Sequence, residues 1–228
     1  EWRGRMGGRL LQAVGHLSGD RIVLEFEDVP DDPRLGMESL FPRLRSLGEA
    51  LSTERDTPAL LRDAAAFVRD ITGFDRALVY RFDADWNGHV VAEDGNGRLP
   101  SYRDLRFPAA DIPEQARKLY TLNRLRIIPD ANYRPVPIRP AMETPLDLSF
   151  SVLRSVSPIH LEYMRNMGTL ASMSISIVFD GRLWGLIACH SSAPNYVSLQ
   201  VRNVCDFAGQ ILASEIASRQ RPAEVAER

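Results

Sequence analysis

Apolar residues along this chain repeat with two periods, and the switches between them mark out its elements. Leu40, Leu44 and Leu47 recur at three and four, predicting a helix over Met37–Leu51 with a kink or late start at Pro42. Thr57 is the expected cap of a second helix, from Pro58 to about Ile71 and ended by Gly73. Arg76–Phe82 and Gly88–Glu93 alternate as strands, joined by the turn residues DADWNG. Asp111 is expected to cap a helix that has Pro113 in its first turn and runs to about Leu122. A proline-rich loop fills residues 129–147.

Ser157-Pro158 then opens a helix closed by Gly168. Ser172–Val178 and Arg182–His190 read as strands, and Asp180-Gly181 between them is a hairpin signal. A last helix runs from about Ser198 past Ala217, with Val201, Val204, Phe207, Ala208, Ile211, Leu212 and Ile216 repeating at three and four as one apolar face. That face either covers the sheet or pairs with a partner helix. Upstream, Arg21–Glu27 reads as a strand, residues 1–20 are Gly-rich and weakly patterned, and Val29–Gly36 is a Pro/Asp linker. Strands that meet through hairpins, with helices between pairs, predict an α+β fold: an antiparallel sheet flanked by helices.

Composition narrows the function. The chain has 228 residues, 44% hydrophobic and 25% charged, with a net charge of −2. That is a globular chain with a sizeable core. A pI near 6.1 gives no support to nucleic-acid binding. No apolar run approaches the roughly 20 residues of a membrane span, and no signal peptide is visible, so we expect a cytoplasmic protein. The two cysteines, Cys189 and Cys205, lie in no metal-ligand spacing. Lys118 is the only lysine among 28 basic residues, so the cations are arginines, as fixed recognition of carboxylates or a GC-rich coding bias would both give.

Four features carry candidate chemistry. His160, Tyr163, Met164 and Met167 are spaced to share a helix face, apolar but tipped with polar atoms. Such a face suits a large planar ligand, or a core with a satisfied histidine. Ser172, Ser174 and Ser176 alternate onto one strand face, either solvent-facing or a wall of hydroxyls. On the next strand Trp184, Leu186, Ala188 and His190 share a face, with Leu183, Ile187 and the packed thiol of Cys189 on the other. Arg126 and Arg154 sit in or beside apolar segments, where an arginine needs an anion. No paired carboxylates, Ser-His-Asp order or phosphate loop stands out, so the residues point to a binding domain and not to an enzyme.

The same segments resemble a known family. Arg106–Pro113 (RFPAADIP), followed by QARKLY to Tyr120, resembles the phytochrome signature around its Asp-Ile-Pro tripeptide. Leu153–Gly168 and Leu183–His190 match the same family, bacteriophytochromes most closely, and the likeness runs from about Arg21 to about Ser218. It implies a GAF domain holding a linear tetrapyrrole, biliverdin in bacterial members. By it, residues 1–30 are the tail of a preceding PAS domain with its linker. Residues 31–218 are the GAF domain, and residues 219–228 begin a helix toward a downstream domain. The implied pigment site is Asp111, Ile112 and Pro113, with the Asp111 carbonyl facing the pyrrole nitrogens and His160 packed beside them. His190 bonds the D-ring carbonyl, and Tyr80 and Tyr163 line the D-ring cavity. Tyr120, Arg126, Arg154, Ser157, Ser172 and Ser174 surround the two propionates.

The family also implies partners: a downstream PHY domain and histidine kinase, and a homodimer through the C-terminal helix. Two departures stand against the pattern. No cysteine precedes Cys189, where bacterial members carry their pigment tether upstream, and Ile159 occupies the plant-type attachment position. The loop before Asp147 is also shorter than the family's. A rival reading is a GAF domain without pigment, acting as a dimer interface or sensing another small molecule such as a cyclic nucleotide.

Overall fold

The computed structural model describes residues 2–226 apart from 31, 33, 35 and 55, with side chains described to residue 220. The boundary expected at residue 31, part of the Val29–Gly36 linker and the final two residues of the chain therefore lie outside the described residues.

Strands β1 (Trp2–Met6), β2 (Arg9–Ser18) and β3 (Arg21–Asp28) form an antiparallel meander in that order. Sequence patterning gave only the third of these. The first strand is exposed on both faces apart from Gly4, so it carries no alternation to read. Helices α1 (Met37–Thr53) and α2 (Thr57–Thr72) follow. Helix α1 runs through Pro42 without a late start and buries Leu40, Leu44, Leu47 and Leu51. The cap of α2 is Asp56 and not Thr57: the Ala59 N–H donates to the Asp56 carboxylate at 3.0 Å.

The main sheet is built from β4 (Arg76–Phe82), β5 (Gly88–Gly95), β6 (Arg106–Phe107), β7 (Leu125–Ile128), β8 (Ala171–Phe179) and β9 (Arg182–Ser191). Its order is β6-β5-β4-β9-β8-β7, and each neighbouring pair is antiparallel. Asp180 and Gly181, both with positive φ (50° and 71°), close the β8–β9 hairpin as expected. The short edge strands β6 and β7 lay below what periodicity resolves.

Helices α2 and α5 (Leu199–Ala226) pack on one face of this sheet, and α1 packs against those two helices. Phe74, Met173, Ile175, Ile187, Val204 and Leu212 meet there in the main core. The last helix thus covers the sheet, with Phe207 on its outer side 54% exposed. The opposite face carries α3 (Glu114–Leu122), α4 (Pro158–Asn166) and the long loop between β7 and α4. No described helix is long and apolar enough to cross a membrane.

The meander is tied to the second face and to α5. Glu27 pairs with Arg202, the Gln200 amide donates to Gln12 at 2.8 Å, and the Leu153 N–H donates to Glu25 at 2.6 Å. The Ser18 hydroxyl donates to the Asp147 carbonyl at 2.6 Å. These bonds brace the loop that presents Arg154.

Candidate functional site

Strand alternation decides where the site lies. Odd positions of β4, β8 and β9, such as Val79, Ile175 and Cys189, point to the helices and are buried. Even positions, Tyr80, Ser172, Ser174, Leu186, Ala188 and His190, point the other way and line one cavity of about 680 Å³. Asp111, Ile112, Pro113 and Tyr120 line it from the turn before α3 and from α3 itself, and Ser157, His160 and Tyr163 from α4 and its cap. Arg126 enters from β7 and Arg154 from the loop before α4. All thirteen residues that the family resemblance implies for the pigment site thus line a single cavity.

One end of that cavity is cationic. Ser174 stands opposite Arg126 across β7–β8, and Arg126 donates to the Tyr120 hydroxyl at 3.2 Å. The Nε atoms of Arg126 and Arg154 are buried without a partner, and among the described residues no carboxylate forms an ion pair with either. Burial, then the charge of Arg126, pulls the Arg154 guanidinium below its ordinary range. A guanidinium drawn partly out of water without an anion is costly. This end fits a ligand carrying carboxylates.

The imidazoles and phenols of the cavity are neutral. Burial, then the Arg76 charge and His160, holds His190 down at about 3. Burial, then the Arg126 charge, holds His160 at about 4. Both imidazoles are therefore uncharged at neutral pH. The His160 and Tyr163 rings stack at 6.4 Å. Burial and then the nearby Asp111 charge raise both the Tyr80 and Tyr163 phenols, so both keep their protons. The Tyr80 ring lies directly over Gly88, where a Cβ would fall within it.

Four expectations need correction. Asp111 does not cap α3: it ends a 3-10 turn, Ala109–Asp111, and the cap is Pro113. A residue before proline is pushed out of helical geometry, and Ile112 is non-helical at φ −126° and ψ 83°, so the helix starts after Pro113. Arg117 holds this turn, donating to the Ile112 carbonyl at 2.6 Å while its guanidinium lies over Trp86. Met164 leaves the stripe of His160, Tyr163 and Met167 and is buried with Leu161 and Val156 in a separate cluster. Ser176 does not reach the cavity; it is buried with its hydroxyl unpaired. Finally, Trp184 packs on the helix side and Leu183 on the cavity side, the reverse of simple alternation. Ile177 pairs with Gly185 but Val178 with Leu183, so Trp184 is the extra residue of a bulge.

Arg76 was missed by sequence reading. It is 2% exposed, and its Nη2 lies 3.1 Å from His190 Nδ1. The signal was present, since Arg76 shares the strand parity of Tyr80. Among the described residues no cluster of three or more His, Cys, Asp or Glu is arranged to hold a metal.

Comparisons with known proteins agree with this geometry. The GAF domain family matches residues 56–219. Cyanobacterial phytochrome B of Nostoc sp. is 47% identical over 211 residues, covering 91% of this chain and 28% of that protein. A bacteriophytochrome of Pseudomonas aeruginosa is 41% identical over 227 residues, covering 98% of this chain and 31% of its own length. The chain thus spans under a third of these curated relatives. Among solved structures, the chromophore-binding domain of bacteriophytochrome RpBphP3 from R. palustris superimposes with a TM-score of 0.89 at 46% identity. The match covers 94% of this chain and 71% of that one. The chromophore-binding domain of Stigmatella aurantiaca phytochrome P1 gives 0.87 at 47% identity, covering 93% and 72%.

Proposed function

The chain belongs to the GAF domain family, in its phytochrome branch, and from that premise we propose that it is the pigment-binding module of a red/far-red light receptor. The pigment is a linear tetrapyrrole, biliverdin. The observation that carries this reading is the cavity itself: it is mostly apolar, it has at one end two arginines with no carboxylate partner among the described residues, and its volume of about 680 Å³ falls within the roughly 300–1,000 Å³ of ligand sites. The pigment-free alternatives leave those two half-buried guanidiniums without a purpose.

The residues present fit the group. Arg126 and Arg154 pair with its two carboxylates, with Tyr120, Ser157, Ser172 and Ser174 completing that end. Asp111 presents its backbone carbonyl to the ring nitrogens, between Ile112–Pro113 and His160. His190 donates to a terminal carbonyl, and Tyr80 and Tyr163 close around the same ring. When bound, the pigment supplies a light-driven isomerisation of the bridge to that ring. His190, Tyr80 and Tyr163 would be the side chains that hold that ring and repack around it, a local change that would bias a two-state element.

Attachment is non-covalent within this chain. Cys189 and Cys205 are buried behind the sheet, neither lines the cavity, and Ile159 lines it at the plant-type attachment position. Residues 1–30 we assign to the end of a PAS domain. The outward face of the meander leaves Leu17 and Ile22 about 70% exposed, as a sheet face made to be covered would. The module is sensory, and we assign any histidine kinase and PHY domain to segments beyond it. We also propose dimerisation through α5, on the side of Phe207, and a cytoplasmic location.

A biliverdin titration of the chain, read by tryptophan fluorescence, tests the reading. Saturable quenching at one pigment per chain supports it, and quenching that never saturates contradicts it.

A further inference from the structure

We propose that Arg76 is a positioning residue that fixes the tautomer of His190, so that the imidazole offers the cavity a hydrogen-bond donor and never an acceptor. Arg76 and His190 face each other directly across β4 and β9, on the cavity side of the sheet. The guanidinium is held from three directions. It donates through Nη1 to the Pro100 carbonyl. Its Cζ lies 3.8 Å from the centroid of the Tyr102 ring. Its Nη2 meets His190 Nδ1 at 3.1 Å.

Among the described residues no carboxylate forms an ion pair with it. A guanidinium has donors only and does not lose its proton in a protein. Its partner nitrogen must therefore be an acceptor, which leaves the single ring proton of a neutral His190 on Nε2. With Nδ1 occupied, Nε2–H is the polar atom left for a ligand.

The fixed proton selects ligand chemistry. A carbonyl placed at His190 receives a hydrogen bond. An N–H placed there meets another N–H, and a buried donor is left unsatisfied. The choice between the two carbonyl-and-amine faces of a ring is thus made by a residue that need not touch the ligand. This consequence rests on the pigment reading above; the tautomer does not.

Nitrogen NMR of the pigment-free chain, labelled with 15N-histidine, reads the tautomer directly. The chain has only four histidines, so His190→Asn identifies the signals of this one. In the wild type we expect Nδ1 to appear as a pure acceptor and Nε2 as a pure N–H. In Arg76→Met the two signals move toward each other as both tautomers populate, and Arg76→Lys, which keeps a donor, restores the separation. A wild-type His190 with its proton on Nδ1, on both nitrogens, or averaged between them overturns the proposal, even if the methionine variant does not fold. With biliverdin added, Arg76→Met shifts the long-wavelength band and Arg76→Lys brings it back. Failure of the wild type to bind biliverdin refutes the pigment reading and leaves the tautomer result standing.

Discussion

Arg202 on α5 and Glu27 on β3, 175 residues apart, form a buried ion pair with side chains 2% and 5% exposed. The Tyr196 hydroxyl donates to the same carboxylate at 2.6 Å, and Arg202 also donates to the Val197 carbonyl at 2.7 Å. The pair locks the N-terminal meander to the last helix. Breaking one side leaves a buried charge alone, which costs about 3–5 kcal/mol. Glu27→Ala and Arg202→Met should each lower unfolding stability by that order in a denaturant melt. The double variant Glu27→Leu/Arg202→Met should recover much of the loss, and additive losses would contradict the account.

Arg154 predicts two effects of opposite sign. It is half-buried, repelled by Arg126 and without a carboxylate partner in an ion pair among the described residues. Arg154→Ala should leave the pigment-free melt unchanged or raised. It should weaken biliverdin binding by about 1.5–3 kcal/mol, the range of a hydrogen bond to a charged group, which is roughly ten- to a hundredfold in affinity. A pigment-free melt that falls while affinity holds would show that the arginine serves the fold and not a ligand.

Gly88 gives a steric test of Tyr80. Tyr80 is 7% exposed and packs edge-on against Phe82 at 5.3 Å, with its ring over Gly88. Gly88→Ala forces the ring away from β5 and should cost about 1–3 kcal/mol, as overpacking does. The same change should alter the pigment band in the direction that Tyr80→Ala does. A Gly88→Ala chain with the wild-type melt and spectrum would remove Tyr80 from the cavity wall.

Stability should fall on mild acidification. His160 and His190 sit at about 4 and about 3 in the folded chain, against 6.5 when exposed. As pH falls through 6.5 the unfolded chain binds protons at both and the folded chain does not, so unfolding gains. The window runs from about 6.5 down to about 4 for His160 and about 3 for His190. At roughly 1.4 kcal/mol per unit, the loss by pH 5 is on the order of 2 kcal/mol per histidine. Denaturant midpoints at pH 7 and pH 5 measure it, and the His160→Gln/His190→Asn variant should flatten the difference.

The order of the longer elements from Met37 to Ala217 was legible because most are one-sided and punctuated by Pro, Gly or Asp. What was lost had no periodic signal. Strand β1 is exposed on both faces apart from Gly4, and β6 is only two residues long. Trp184 changed sides because a bulge shifts register, which depends on the partner strand and not on local sequence. For the site, spacing alone left the serine face open between solvent and pocket. Register decided it, setting Ser174 beside Arg126 and Ser172 beside His190. Arg76 escaped notice because β4 is buried on both faces over its first five residues, which hides the alternation that groups it with Tyr80.

The most direct test of the central claim is an absorption spectrum of the 228-residue chain mixed with biliverdin, followed by a denaturing gel stained with zinc. The account predicts a new red band that withstands removal of free pigment, and no zinc fluorescence on the denatured chain, because no cysteine lines the cavity. A spectrum identical to that of free biliverdin would contradict a bilin site built by these residues.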